Sequence, residues 1–208
     1  MDRRAALLVA LSMTTAALPA PAAEAFASPV TAEGDLIIIE GRVLDRAGDP
    51  VTEAVVEIWQ TDARGIYDHP GDASTGGRDL GFQFYGSSPA DRDGRYAFRT
   101  ILPGRYHPRP RHIHVKVKSG GRVLLVTQIY FAEDGEARGV GGSAENLRVE
   151  MRSRNAPDGS RVDYAVFDIV LDTGVPGPRR PTDRQGEGPY YPVADVSAFD
   201  NDLANVGG

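Results

Sequence analysis

Cysteine is absent from all 208 residues, which rules out disulfides, thiolate metal ligands and cysteine nucleophiles together. Histidine is scarce: any imidazole chemistry must draw on the four at His69, His107, His112 and His114. Positive charge is in deficit, with Lys and Arg numbering 23 against 29 Asp and Glu, a net charge of -6. A chain of that sign has no basic field to neutralise phosphates, so nucleic acid is excluded as a partner. Long apolar runs are missing too, save one at the N-terminus. There Asp2-Arg3-Arg4 precedes an apolar stretch over 5–18, followed by small-residue sites at Ala23-Glu24-Ala25 and Ala25-Phe26-Ala27.

That order reads as a signal peptide over residues 1–27. The rival reading is a membrane anchor, but Ser12, Thr14 and Thr15 interrupt the run and Pro19 closes it, short of the roughly 18 to 20 apolar residues a span needs. Export to the periplasm or beyond is therefore expected, with no membrane span once the leader is removed. Arg3-Arg4 permits the twin-arginine route, which carries folded proteins. What remains is enough for one β-rich domain but not comfortably for two.

From Asp35 onward short β-rich runs are punctuated by turn residues. The runs cover 36–44, 54–59, 96–101, 112–118, 123–131 and 162–171, and this spacing predicts an all-β sandwich of mixed or antiparallel strands with little helix. Ala47-Gly48-Asp49-Pro50, Asp91-Arg92-Asp93-Gly94 and Ser119-Gly120-Gly121 supply the turns. One helix is predicted over 143–151, with Ser143 as its cap and Leu147 and Met151 on one face. A long Gly- and Asp-rich segment separates Trp59 from Tyr96, and loops of that length on sandwiches are where sites are built. The core runs over 28–175. From 176 a Pro- and Gly-rich linker, Gly177-Pro178-Arg179-Arg180-Pro181, leads into a tail that ends at 208.

The sharpest local feature is Arg109-Pro110-Arg111-His112-Ile113-His114-Val115-Lys116-Val117. A strand puts residues i and i+2 on one face, so both imidazoles point one way while Ile113, Val115 and Val117 point the other. Such a pair is half of a metal site, or else an ordinary solvent-facing strand. Without cysteine the site must be completed by other donors. Tyr67 in the long loop and Tyr106 in the tight Pro103-Gly104-Arg105-Tyr106 corner stand out, although most tyrosines are half-buried strand residues. Two phenolates with two neutral imidazoles favour a hard, highly charged ion such as Fe³⁺ over Zn²⁺ or Cu⁺. The phenol pKa would have to fall, which a trivalent ion at bonding distance brings about.

Trp59-Gln60-Thr61-Asp62-Ala63-Arg64-Gly65-Ile66-Tyr67 is followed by Asp93-Gly94-Arg95-Tyr96 and Leu102-Pro103-Gly104-Arg105-Tyr106. Next come Arg109-Pro110-Arg111-His112-Ile113-His114 and Thr127-Gln128-Ile129-Tyr130-Phe131. In residue type and order these segments resemble the intradiol ring-cleavage dioxygenases, the protocatechuate and catechol dioxygenase family. The resemblance implies a non-haem Fe(III) held by Tyr67, Tyr106, His112 and His114, a small aromatic diol and O₂ as substrates, and a muconate-type diacid as product. It also implies that Tyr106 is the equatorial phenolate and that Tyr67 is the axial one, displaced by the diol as it delivers its protons. Arg109 matches the cation that stabilises carbanion character on the ring, and Gln128 a group beside the metal. Arg109 could equally pair with a surface carboxylate, a contact of little worth.

One motif is out of place. Family members usually carry a Gln-x-Glu-Gly-Pro-Tyr-Tyr segment and an Asp-Asn-Asp-Leu stretch ahead of the first strand. Here Gln185-Gly186-Glu187-Gly188-Pro189-Tyr190-Tyr191 and Asp200-Asn201-Asp202-Leu203 come last. Joining Gly208 to Glu33 would restore the usual order, so the chain reads as circularly permuted, with Gly208 expected near Asp35. The tail is expected to cover the site mouth, the rival readings being a disordered tail and one docked on a neighbouring subunit. Homo-oligomer formation stays open. A second class of function is carried by the segment from Gly41 to Ile58, which also resembles transthyretin-like modules that bind or space and catalyse nothing. The Tyr67, Tyr106, His112 and His114 set separates the two.

Overall fold

The structure, a computed structural model, describes residues 26, 28–134, 145–156 and 159–206. Of the expected leader only Phe26 falls among them, and so does neither Gly208 nor Ser143. Among the described residues no helix is long and apolar enough to cross a membrane.

Two five-stranded mixed sheets face each other across one apolar core. The first is built around β1 (Leu36–Asp45), which pairs antiparallel with β4 (Arg95–Ile101) and parallel with β9 (Arg161–Val166) and β10 (Ile169–Leu171). β8 (Arg152–Asn155) closes the edge beside β9. The run expected over 162–171 is thus two strands. The break at Phe167-Asp168 falls beside Gly41, where a Cβ would stand 2.1 Å from the Phe167 carbonyl oxygen, so the bend fits only against glycine.

The second sheet runs β3 (Tyr85–Pro89), β2 (Val55–Trp59), β5 (His112–Ser119), β6 (Arg122–Phe131) and β7 (Arg148–Val149). The helix expected over 143–151 is not formed. Its described part is a 3-10 turn, Glu145–Leu147, followed by β7, which pairs parallel with β6. Leu147 and Val149 are both buried in the core, a period of two that satisfies the sheet edge and overrides the weak helical stripe.

β5 positions the site. Ile113, Val115 and Val117 are fully buried against the first sheet, each such side chain contributing about 1.5–3 kcal/mol of burial. Its other face is buried too: His112, His114 and Lys116 are 3 %, 2 % and 5 % exposed. What covers them is the loop over residues 60–84, the corner before β5 and the C-terminal tail. The tail is tied down along its length. Thr182 N donates to the Val170 carbonyl, Gln185 N to the Val126 carbonyl, Leu203 N to the Arg99 carbonyl, and Thr31 N and Ala32 N both donate to the Ala204 carbonyl.

Candidate active site

The long loop has no sheet to satisfy its backbone, and buried carboxylates do so instead. Asp62, fully buried, accepts from Arg64 N and Ile66 N through one oxygen and from Asp79 N through the other. Asp72 accepts from Tyr67 N at 2.9 Å and Ser74 N at 2.8 Å. These bonds convert a Gly-rich segment into a fixed platform that presents Tyr67. The corner that presents Tyr106 is pinned to it, since Gly104 N donates to the Asp62 carbonyl and Thr61 Oγ1 to the Gly104 carbonyl. On the far side Asp134 accepts from Arg105 Nη2, Arg111 Nη1 and Arg111 N.

The consequence is convergence. Tyr67 Oη lies 3.2 Å from His112 Nε2 and 3.2 Å from His114 Nε2, so the long loop and β5 meet at one point. The Tyr67 and Tyr106 rings are 5.5 Å apart edge to face, and Tyr106 Oη is 2.7 Å from Tyr190 Oη of the tail. Arg109 Nη2 donates to Gln128 Oε1 and to Tyr130 Oη, while its Nε is buried without a partner. His69 lies at the rim against the Tyr190 ring, and His107 precedes a cis Pro108 in the exposed corner.

Burial sets the protonation states. His112 is pushed down to about 4, first by burial and then by the Arg109 cation. His114 is pushed down as well, by burial, His112 and Arg109 in that order. Both imidazoles are therefore neutral at neutral pH, the form that donates a lone pair. His112 Nδ1–H donates to the Pro110 carbonyl at 2.8 Å, which leaves its Nε2 lone pair facing Tyr67. Burial raises the Tyr67 phenol above its ordinary range, and the Tyr190 hydrogen bond followed by burial pushes Tyr106 up to about 12. Both phenols therefore hold their protons at neutral pH, Tyr67 in spite of the Arg109 cation that favours its ionised form.

Trp59 and Tyr130 had no role in the sequence reading, whereas Gln128 did. Trp59 stacks on His114 at 4.6 Å, its cross-strand partner, and Tyr130 and Gln128 are the partners of His112 and His114 on β6. Counting back from the Gly120-Gly121 turn would instead pair His114 with Thr127 and His112 with Ile129, because an irregularity between Val117 and Lys118 shifts the register by one residue. Among the described residues no three His, Asp or Glu side chains gather in metal-ligand geometry, so a metal at this point would need the phenols. A cavity of about 240 Å³ lies behind the Tyr67 loop, lined by Asp68, Arg78, Phe82, Phe84 and Tyr85 among others. None of the four donors lines it.

A β-sandwich that sets one phenol between two imidazoles, with a second phenol ring packed on the first and no thiol in the chain, offers the nitrogen and oxygen donors of a hard-ion site. Comparison with known proteins agrees. A model of the family described as Dioxygenase matches residues 17–173. The chain is 39 % identical over 154 residues to the protocatechuate 3,4-dioxygenase beta chain of Burkholderia cepacia, covering 66 % of this chain and 65 % of that one. It is 34 % identical over 119 residues to the catechol 1,2-dioxygenase of Acinetobacter baylyi, covering 49 % and 37 %. Among solved structures, the dioxygenase domain of a dioxygenase and carbohydrate-binding protein fusion from Streptomyces sp. SirexAA-E superposes with a TM-score of 0.51 at 32 % identity. That match covers 70 % of this chain and 84 % of the other. The chain belongs to the intradiol dioxygenase family. It spans less than two thirds of the length of these two curated relatives.

Proposed function

We propose that the protein is a non-haem ferric intradiol dioxygenase that opens the ring of a catechol-type diol with O₂ to give a muconate-type diacid. The observation that carries this reading is the position of Tyr67 Oη, 3.2 Å from each of two inward-facing Nε2 atoms. Tyr67 O–H can donate to the His112 Nε2 lone pair while the His114 tautomer sets the second contact, and a cation replacing these protons would engage all three atoms. Family membership and the absence of any thiol point to a hard ferric ion, held by Tyr67, Tyr106, His112 and His114. When bound it would supply the electron acceptor that makes the diol ring reactive toward O₂.

The rest is done by side chains. The two phenols hold different positions, and the difference supports assigning their roles in the reverse of the order implied by the family resemblance. Tyr67 is 3 % exposed, its backbone N is held by Asp72 and its hydroxyl is fixed between the histidines. It would stay. Tyr106 is half-buried and its hydroxyl already has an alternative partner in Tyr190. Swinging to that partner, Tyr106 would take one proton from the incoming diol. Arg109 would face the ring with an unpartnered Nε and offset negative charge developing there, an effect strongest where water is excluded. Gln128 orients that guanidinium through Oε1 and anchors the tail by donating from Nε2 to the Gly186 carbonyl at 3.1 Å.

The position of the tail motif supports circular permutation. It lies over β5 and β6 beside the proposed site, the family match stops at residue 173, and Ala204 is bonded to Thr31 and Ala32 ahead of β1. The N-terminal leader supports export. A spacer module would have no reason to bury two imidazoles and a phenol at one point, which disfavours the transthyretin-like alternative.

The test is iron loading followed by visible spectroscopy and oxygen uptake over a panel of ring-substituted diols. Tyrosinate-to-iron charge transfer should colour the protein, Tyr67→Phe should lose both colour and metal, and Tyr106→Phe should keep iron with a shifted band. Stoichiometric zinc with no colour and no oxygen uptake would sink the proposal.

A further inference from the structure

The outer face of β5 continues past the histidines. Lys116 and Lys118 follow His112 and His114 at the same two-residue spacing, and Glu57 and Trp59 of β2 stand opposite Lys116 and His114. Over this face runs the tail strap. Lys116 Nζ is 2.7 Å from Glu187 Oε2 and 3.1 Å from the centre of the Tyr191 ring. Tyr191 donates to Glu57 Oε2 at 3.0 Å and stands edge-on to Trp59 at 5.0 Å, while Lys118 Nζ bonds Glu57 Oε1 at 2.6 Å.

The charges explain why the strap sits there. Lys116 is 5 % exposed and Glu57 1 % exposed. Glu57 is bonded by Lys118, whose own side chain is 32 % exposed, so Glu187 of the strap is the carboxylate at 2.7 Å that neutralises the buried Lys116. A buried cation that loses its partner is costly, so the strap is favoured in the one register that brings Glu187 to Lys116. The Tyr191 face adds a cation–π contact to the same ammonium. Between these two anchors lie Gly188 and Tyr190. Gly188 has φ 82° and its Cα faces His114 so closely that a Cβ would stand 3.0 Å from Cε1, and Tyr190 reaches Tyr106.

We infer that Lys116 is a positioning residue that registers the strap over residues 187–191 and thereby seats Tyr190 against Tyr106. It acts through Glu187 and Tyr191 and touches neither proposed metal phenol. Its catalytic consequence rests on the ferric reading above, but the registration itself does not.

Trp59 makes this measurable without metal, because it is the only tryptophan, 1 % exposed, and packed under Tyr191. In metal-free protein Lys116→Met and Glu187→Gln should each at least double the acrylamide quenching of Trp59, and Lys116→Arg should stay near the parent. If the two residues act through one contact, the double replacement is no worse than Lys116→Met alone. Glu187 is 43 % exposed on its side chain, so Glu187→Gln leaves the sheet intact and decides the matter even if Lys116→Met fails to fold. In iron-loaded protein the visible band should move in the same direction as in Tyr190→Phe. Parent-like quenching in Glu187→Gln, or additive effects in the double variant, would overturn the inference. A parent protein without a visible band would overturn only the ferric reading, leaving the quenching result standing.

Discussion

Metal-free protein should lose stability on mild acidification, and His112 should account for a defined part of the loss. Burial holds this imidazole at about 4 in the fold against an ordinary 6.5. The unfolded chain therefore binds the proton more readily than the folded one. The stability this lends is complete above about pH 6.5 and drains away as pH falls toward 4. Between pH 7.5 and about pH 4.5 the linkage amounts to roughly 2.5 kcal/mol. Urea unfolding followed by Trp59 emission at those two pH values measures it, and the midpoint should fall by about 1 M. Titrating carboxylates contribute in parallel, so the parent is compared with His112→Asn, whose amide can still donate to the Pro110 carbonyl. The variant should lack about 2.5 kcal/mol of the parent's acid loss. An identical pH dependence in the two proteins would show that the site is hydrated and the imidazole ordinary, and the argument from burial would fall.

Two further outcomes follow from buried carboxylates. Asp72→Ala strips acceptors from Tyr67 N and Ser74 N; at roughly 1–3 kcal/mol for each orphaned donor it should lower the thermal midpoint and weaken iron retention together, and a loss of stability with iron affinity unchanged would separate Asp72 from the site. Arg99→Leu leaves Asp202 buried without the partner 2.9 Å away and removes donors to the Phe26 and Ser28 carbonyls; it should cost about 3–5 kcal/mol in a denaturant titration, with Arg99→Leu/Asp202→Leu recovering part of it.

The elements that could be read from the sequence are those whose period is their own. β1, β2, β4, β5 and β6 stand within a residue or so of the expected runs because each alternates or buries apolar side chains against the core. β3 could not be read that way. Tyr85-Gly86-Ser87-Ser88-Pro89 has the composition of a loop and becomes an edge strand because β2 offers it a hydrogen-bonding ladder, with proline confined to its end. β8, Arg152-Ser153-Arg154-Asn155, is polar throughout and exists by pairing with β9. Leu147 and Met151 share a helical face in sequence, yet pairing of β7 with β6 selects the extended form.

Of the four proposed donors, the sequence could set His112 beside His114 but not bring Tyr67 between them. A strand places His112 and His114 together by local geometry alone. Tyr67 reaches them through a platform held by Asp62 and Asp72, and carboxylates bonding backbone N–H groups leave no periodic trace. The same limit applies to the face of β5. His-Ile-His-Val-Lys-Val-Lys alternates polar and apolar, the pattern of a strand with one side in water, yet both sides are buried as far as Val117. Covering a polar face is unfavourable unless each group finds a partner inside. Here Lys116 and Lys118 find Glu187 and Glu57, and His112 finds Pro110 and Tyr67. His114 Nδ1, Arg109 Nε and the Nε1 of Trp59, stacked on His114, find none among the described residues. Three unpaired nitrogens gathered on one buried face cost the fold stability, which supports reading the outer face of β5 as the proposed site.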